Sequence, residues 1–251
     1  MICPSCNTKN TEDSNFCKVC GKALSEKVDS YQKALQTATV LENEGQLDEA
    51  LHEFEKADNL KSSPEISLHI GNIYYRLGNL DKAIERFQKC LELKPNLAGA
   101  MYGLGLALYR KAQITEAIKQ FIKTIKIDPD FLLAYYWLGI CYYHHGQLHE
   151  TCETLRQLLD KNPNFTIAYY HLGDACAQLG NLDQTIENFE KVIEHNPQDA
   201  PAFFQLAVAY YKKGELDKSI NFFKQVLELD PEHDRAKHNL KALEDVRVHY
   251  Y

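Results

Sequence analysis

Residues 132–163 read LLAYYWLGICYYHHGQLHETCETLRQLLDKNP, and this stretch decides the fold. Tyr135, Leu138, Gly139 and Tyr142 fall at i, i+3, i+4 and i+7, one stripe of an α-helix. Gly146 is placed to end that helix in the left-handed conformation. The spacing then predicts a second helix from near His149, stopping before Pro163 because the residue ahead of a proline is driven out of helical geometry. The stretch is a helical hairpin. A hairpin this short leaves one apolar face uncovered, so it must stack on others like it.

The pattern recurs in both directions. Pro95, Pro129, Pro163, Pro197 and Pro231 are spaced 34 residues apart. Gly78, Gly146, Gly180 and Gly214 keep the step, with Ala112 where a glycine would fall and Gly45 33 residues before Gly78. Gly71, Gly105, Gly139, Gly173 and Ala207 form a column of small residues that lets paired helices approach closely. Phe54, Phe87, Phe121, Leu155, Phe189 and Phe223 fill the space between them. Asp48, Asp81, Thr115, Asp183 and Asp217 are expected to cap the second helices, with His149 the poor exception. A period of 34 with these columns resembles the tetratricopeptide repeat. The match covers six units, 31–63, 64–97, 98–131, 132–165, 166–199 and 200–233. The resemblance implies an all-α fold, a right-handed α-solenoid of six hairpins. After it, 234–251 read as a capping helix and tail, with Ala236, Leu240 and Leu243 on one side.

Composition narrows the function. The chain has 251 residues, 45% hydrophobic and 25% charged, enough for a core and too apolar for wholesale disorder. A net charge of −7 argues against a protein that coats nucleic acid. The longest nearly apolar run, Phe131 to Tyr143, is 13 residues and falls short of a bilayer by about a third. A cysteine already at residue 3, in a polar segment, leads us to expect no secretory signal and a cytoplasmic location.

Cys3-Pro4-Ser5-Cys6 and Cys17-Lys18-Val19-Cys20 place two C-x-x-C pairs on either side of a polar reversal. Each pair can bend round one ion, and two pairs complete a tetrahedron of thiolates. Asn7 and Gly21 follow the pairs and readily take the positive φ that a tight turn demands. Beyond Ile2, Phe16 and Val19 the segment to Lys22 has almost no apolar residues, so metal binding would supply its folding energy. The segment resembles a short zinc ribbon, with a ten-residue spacer instead of about 15–20. A structural zinc on Cys3, Cys6, Cys17 and Cys20 in a ribbon over 1–22 is the expectation, with 23–30 as linker. Iron is the other metal that four thiolates accept. Four protein ligands leave no open position for catalysis.

The first helix of each unit carries a second stripe, which in the family lines the inner concave surface. Here it holds Leu35, Leu68, Tyr102, Tyr136, Tyr170 and Phe204, then Glu42, Tyr75, Tyr109, Tyr143, Ala177 and Tyr211, with Trp137 beside them. In pairs such as Tyr135-Tyr136, Tyr142-Tyr143 and Phe203-Phe204 the first residue is expected to pack in the stack and the second to face the groove. Rings with polar tips suit anchors for a partner peptide or helix, and polar neighbours such as Arg110, His171, Asp174 and Lys212 would set its register. Packing between neighbouring first helices is the competing account of the same rings. The column that carries the leading lysine of a chaperone-tail clamp has no lysine here, which sets that function aside.

Enzyme chemistry finds no support in the sequence. His144, His145 and His149 are split by Gly146 and share no helix face. Gly103-Leu104-Gly105 has no preceding strand and is no phosphate loop. Cys90, Cys141 and Cys176 fall at buried helix positions, with Cys141 and Cys152 as possible neighbours, and all four read as packing. The reading is a scaffold for protein partners. The alternative is nucleic-acid or assembly work by the ribbon, whose Lys9, Lys18, Lys22 and Lys27 equally serve to neutralise four thiolates round a divalent ion.

Overall fold

The computed structural model describes residues 1–11, 14–22, 24 and 26–250, which form two compact bodies, Met1–Ile127 and Asp128–Tyr251. In the first, the cysteine segment precedes α1 (Glu26–Asn43), α2 (Leu47–Leu60), α3 (Pro64–Arg76), α4 (Leu80–Leu93), α5 (Ala98–Arg110) and α6 (Ile114–Ile127). The second holds α7 (Leu132–His144), α8 (Leu148–Lys161), α9 (Thr166–Gln178), α10 (Leu182–His195), α11 (Ala200–Lys212), α12 (Leu216–Leu229) and α13 (Asp234–Tyr250). Odd and even helices pair as hairpins, and within each body each hairpin packs on the next. An isolated β-bridge joins Ile2 and Lys9 in the cysteine segment.

Each hairpin turns within a few residues. In the fourth, Gly146 has φ +78° and the N–H groups of Gly146 and Gln147 donate to the carbonyls of Tyr143 and Tyr142, closing the helix end. Ala112 adopts the same conformation at φ +58°, and Gln113 N–H donates to Leu108 O in the same way. The third repeat keeps the turn although it lacks the glycine.

The small-residue column packs as the pattern requires. A Cβ built on Gly71 would lie 2.7 Å from the Phe87 ring, and one on Gly105 2.8 Å from that of Phe121. Gly139 meets Leu155 at 2.7 Å and Gly173 meets Phe189 at 2.9 Å. Phe54, Phe87, Phe121, Leu155, Phe189 and Phe223 are fully buried. Gly103 is closer still, 2.6 Å from Phe87 of the preceding repeat. One ring thus wedges between the first helices of two successive repeats.

Two expectations are corrected. The second helices start earlier, at Leu47, Leu80, Ile114, Leu182 and Leu216, so Asp48, Asp81, Asp183 and Asp217 sit in the first turn rather than at the cap. The left-handed residue reverses the chain so sharply that almost no connection remains. There the carboxylates favour the helix dipole, and Asp81 and Asp183 also pair with Lys111 and Lys213 of the next repeat. Helix α1 begins at Glu26, inside the stretch expected as linker, of which Ala23 and Ser25 lie outside the described residues. Cys152 meets Cys176 of the next hairpin, Sγ to Sγ 3.9 Å. Burial pushes the Cys141 thiol up to about 12, as for a thiol in an apolar core.

Helix α13 covers the last hairpin through buried Ala236 and Leu243, which pack against Phe223 and Val226. The expected cap is present and runs on to Tyr250, with Tyr251 outside the described residues.

Candidate functional site: a four-cysteine centre and an aromatic helix face

The cysteine segment folds as two similar knuckles. Asn7 N–H donates to Cys3 O, and Gly21 N–H to Cys17 O, both at 2.9 Å. Asn7 and Gly21 adopt φ of 57° and 70°, the positive values their types allow. Sequence reasoning missed Asn10, which is buried and ties the knuckles together. Its Nδ2 donates to Thr8 O, and its Oδ1 accepts from Lys18 N–H at 2.9 Å. A polar residue with no periodic neighbours gave no signal for this.

The four sulfurs converge within 4.8 Å of one another. Cys3 to Cys20 is 3.6 Å and Cys6 to Cys17 is 3.4 Å, far longer than a disulfide bond. A tetrahedron with metal–sulfur bonds of about 2.3 Å has edges of about 3.8 Å, so the donor set fits one four-coordinate ion. Backbone N–H groups prepare the sulfurs for charge. The Cys20 N–H, ahead of that of Val19, lowers the Cys17 thiol to about 5. Thr8, through its hydroxyl and then its N–H, lowers Cys6. The Lys22 N–H also favours the Cys20 thiolate, but Cys6, burial and Cys3 outweigh it and push that thiol up to about 12. Protons crowded among four sulfurs are what a divalent ion displaces. Ile2, Val19 and Phe16 remain exposed on the outside of the knuckles.

The aromatic stripe is described body by body. In the first, Tyr75, Tyr102 and Tyr109 are half-buried on α3 and α5. The Arg110 guanidinium lies 4.9 Å over the Tyr75 ring and donates to Tyr75 O. Tyr102 leans on Phe121, ring centres 5.9 Å apart. In the second body, Tyr136 packs against Trp137, Phe165 and His171, its hydroxyl 3.2 Å from His171 Nε2. Burial lowers the His171 pKa, against the Asp174 charge that raises it. Tyr143 O–H donates to Asp174 Oδ2 at 3.1 Å, while Gln205 Nε2 donates to Asp174 Oδ1 at 3.2 Å. Asp174 therefore links α7, α9 and α11. Burial, then the Asp174 charge, raises the Tyr143 pKa, so the phenol stays a donor. Tyr170 sets its edge on Phe189 and remains half-buried.

Phe204 departs from the expectation. It is buried, stacked on His233 at 5.0 Å with the Arg235 guanidinium 4.8 Å from its ring, whereas Phe203 stays half-buried. Its neighbours there come from the approach to α13 and from α13 itself, which cover it where a further repeat would stand. Tyr211, 54% exposed, is the open ring of the stripe. Sequence reasoning also missed Gln205 and Gln178. Their amides hold Asp174 and Tyr143, and the pairs join positions 31 and 35 residues apart, one repeat on.

Family models described as TPR repeat, tetratricopeptide repeat, and anaphase-promoting complex, cyclosome, subunit 3 match residues 71–112, 177–243 and 113–192. A zinc-ribbon domain model matches residues 2–24. Among solved structures the chain is similar to YrrB, described as a TPR protein with an unusual peptide-binding site. That match has 26% identity and a TM-score of 0.69, over 75% of this chain and 97% of the other. MamA matches at 28% identity and TM-score 0.63, over 66% and 97%. The C-terminal part of a TPR repeat-containing protein from Cytophaga hutchinsonii has a TM-score of 0.73 at 21% identity, over 84% and 87%, a likeness of fold. No curated protein matches the chain in sequence. No helix among the described residues is long and apolar enough to cross a membrane.

Proposed function

Since the chain is a tetratricopeptide-repeat protein with an amino-terminal zinc ribbon, we propose that it is a cytoplasmic adaptor that holds a partner peptide or helix on the first-helix face of its C-terminal body. The observation that carries the reading is the Tyr143–Asp174–Gln205 chain of hydrogen bonds across α7, α9 and α11. It holds Tyr143 half-buried in one orientation with Tyr136 and Tyr170 nearby on the same helices. Fixed rings cost little further entropy on binding, which is what an anchor requires. The peptide-binding site in the description of YrrB, which aligns with most of this chain, points the same way. Tyr75, Tyr102, Tyr109 and Arg110 form a comparable face on the N-terminal body. The ion in the cysteine centre is zinc, held structurally by Cys3, Cys6, Cys17 and Cys20.

The test uses the full chain as bait. The protein and its Cys3→Ser/Cys6→Ser variant are compared for the partners they retain. Retention by the variant supports the helix face. Loss of every partner assigns binding to the ribbon, whose exposed Ile2, Phe16 and Val19 make it the second reading as an assembly element.

A further inference from the structure

Helix α13 does more than close the stack. Between α11, α12 and α13 lies a cleft of about 440 Å³. Its floor is apolar, built on Val208, Phe223 and Leu243. Its rim carries Tyr211, Lys212, Arg235 and Asn239, and no carboxylate lines it. The Arg235 guanidinium is held 4.8 Å from the Phe204 ring, and neither Arg235 nor Lys212 has an acidic partner among the described residues. In a chain of net charge −7, a lining that holds two cations and no carboxylate gives this cleft a positive rim beside an apolar floor.

We propose that this cleft binds a short acidic–apolar segment of a partner protein, one apolar side chain flanked by carboxylates. The proposal rests on the reading of this body as a partner surface and names the chemistry at its carboxyl-terminal end. The apolar side chain displaces water from the floor and covers the exposed Tyr211 ring. The carboxylates pair with Lys212 and Arg235, and the Asn239 amide offers one donor and one acceptor to the peptide backbone. A basic or uncharged segment would cover the two cations without replacing their hydration, so it is disfavoured.

The probe is a terminally blocked, fluorescein-labelled octapeptide of leucines and glutamates, titrated against the full chain by fluorescence anisotropy. A counterpart with lysine for every glutamate is titrated beside it. The acidic peptide is expected to bind, more weakly as salt rises, and to lose about tenfold in affinity with Lys212→Glu and again with Arg235→Glu. The lysine peptide is expected not to bind. Lys212 is exposed, so an unchanged melting temperature certifies that variant. No binding of the acidic peptide, equal binding of both peptides, or unchanged affinity in both variants overturns the proposal. The two readings separate through the natural partner. Loss with Tyr143→Ala but not with Lys212→Glu keeps the helix face and overturns the cleft. The converse keeps the cleft and overturns the face.

Discussion

Replacing Ala112 with glycine should stabilise the protein, whereas replacing Gly146 with alanine should destabilise it. Both residues end the first helix of a repeat in the left-handed conformation, at φ +58° and +78°. An L-residue with a Cβ is disfavoured there by about 1–2 kcal/mol. Glycine offsets part of this because its unfolded chain is freer, by about 0.5–1 kcal/mol. The net gain for Ala112→Gly is therefore about 0.5–1 kcal/mol, and Gly146→Ala loses a similar amount. Packing does not blur the comparison. Ala112 is exposed, and a Cβ on Gly146 would meet nothing within 4 Å. In a chain of this size such a change moves the melting temperature by roughly 1–4 °C. Differential scanning calorimetry on the two variants and the parent reads it directly. Hydrogen exchange at the amides of α5 and α6 localises the first effect. A fall in stability for Ala112→Gly, or a rise for Gly146→Ala, would refute the reasoning by showing that the unfolded-chain term dominates at these turns.

Other outcomes follow from the same geometry. Gly105→Ala should cost more than Gly139→Ala, because a buried ring at 2.8 Å yields less readily than the end of a leucine at 2.7 Å; overpacking of about 1–3 kcal/mol exceeds the helix-propensity gain of about 1 kcal/mol. Chemical denaturation of the two variants ranks them. Asp58, whose Oδ2 takes Arg86 at 2.7 Å and Lys89 at 2.8 Å, has a lowered pKa because those cations and Ser62 outweigh the desolvation that opposes them. A depressed carboxylate stabilises fully above its unfolded value of about 3.9, and the contribution disappears as pH falls through the lower folded value. Asp58→Asn should therefore lower the urea midpoint at pH 7 and flatten its fall below pH 4. Elemental analysis should find about one zinc per chain, and chelation should leave the helical circular dichroism nearly unchanged, since every helix lies outside the ribbon. Collapse of the helical signal would make ribbon and repeats one folding unit.

What the sequence reveals and what it hides divide along physical lines. The Gly105–Phe121 and Gly71–Phe87 packings are legible because each repeat solves the same problem with the same residues, so the period exposes them. The metal centre is legible because two C-x-x-C pairs have few other uses. Helix starts are misplaced by two residues because Asp48 and Asp183 suit a first turn as well as a cap. Asn10 is invisible because its role depends on two knuckles meeting in space. The fate of Phe204 is hidden for a related reason. Its covering comes from His233 and Arg235, at and beyond the end of the repeat pattern, so the column that predicts an open ring has no next unit to consult. Cys152 meets Cys176 through stacking between hairpins, which pairing within one hairpin cannot show.

The central claim, that a partner is held by the first-helix face of the C-terminal body, is tested most directly by the affinity of Tyr143→Ala for a captured partner. Tyr135→Ala, at the buried ring of the same helix, serves as the packing control. An anchor ring buried by a partner is worth about 2 kcal/mol, which corresponds to a loss of tenfold or more. The account predicts that loss for Tyr143→Ala, measured on folded protein, over and above the fall in melting temperature that losing its Asp174 hydrogen bond brings. Tyr135→Ala should lower the melting temperature and leave the affinity of the folded protein near that of the parent. If Tyr143→Ala binds as tightly as the parent, or if both variants only destabilise, the aromatic stripe is packing alone and the claim fails.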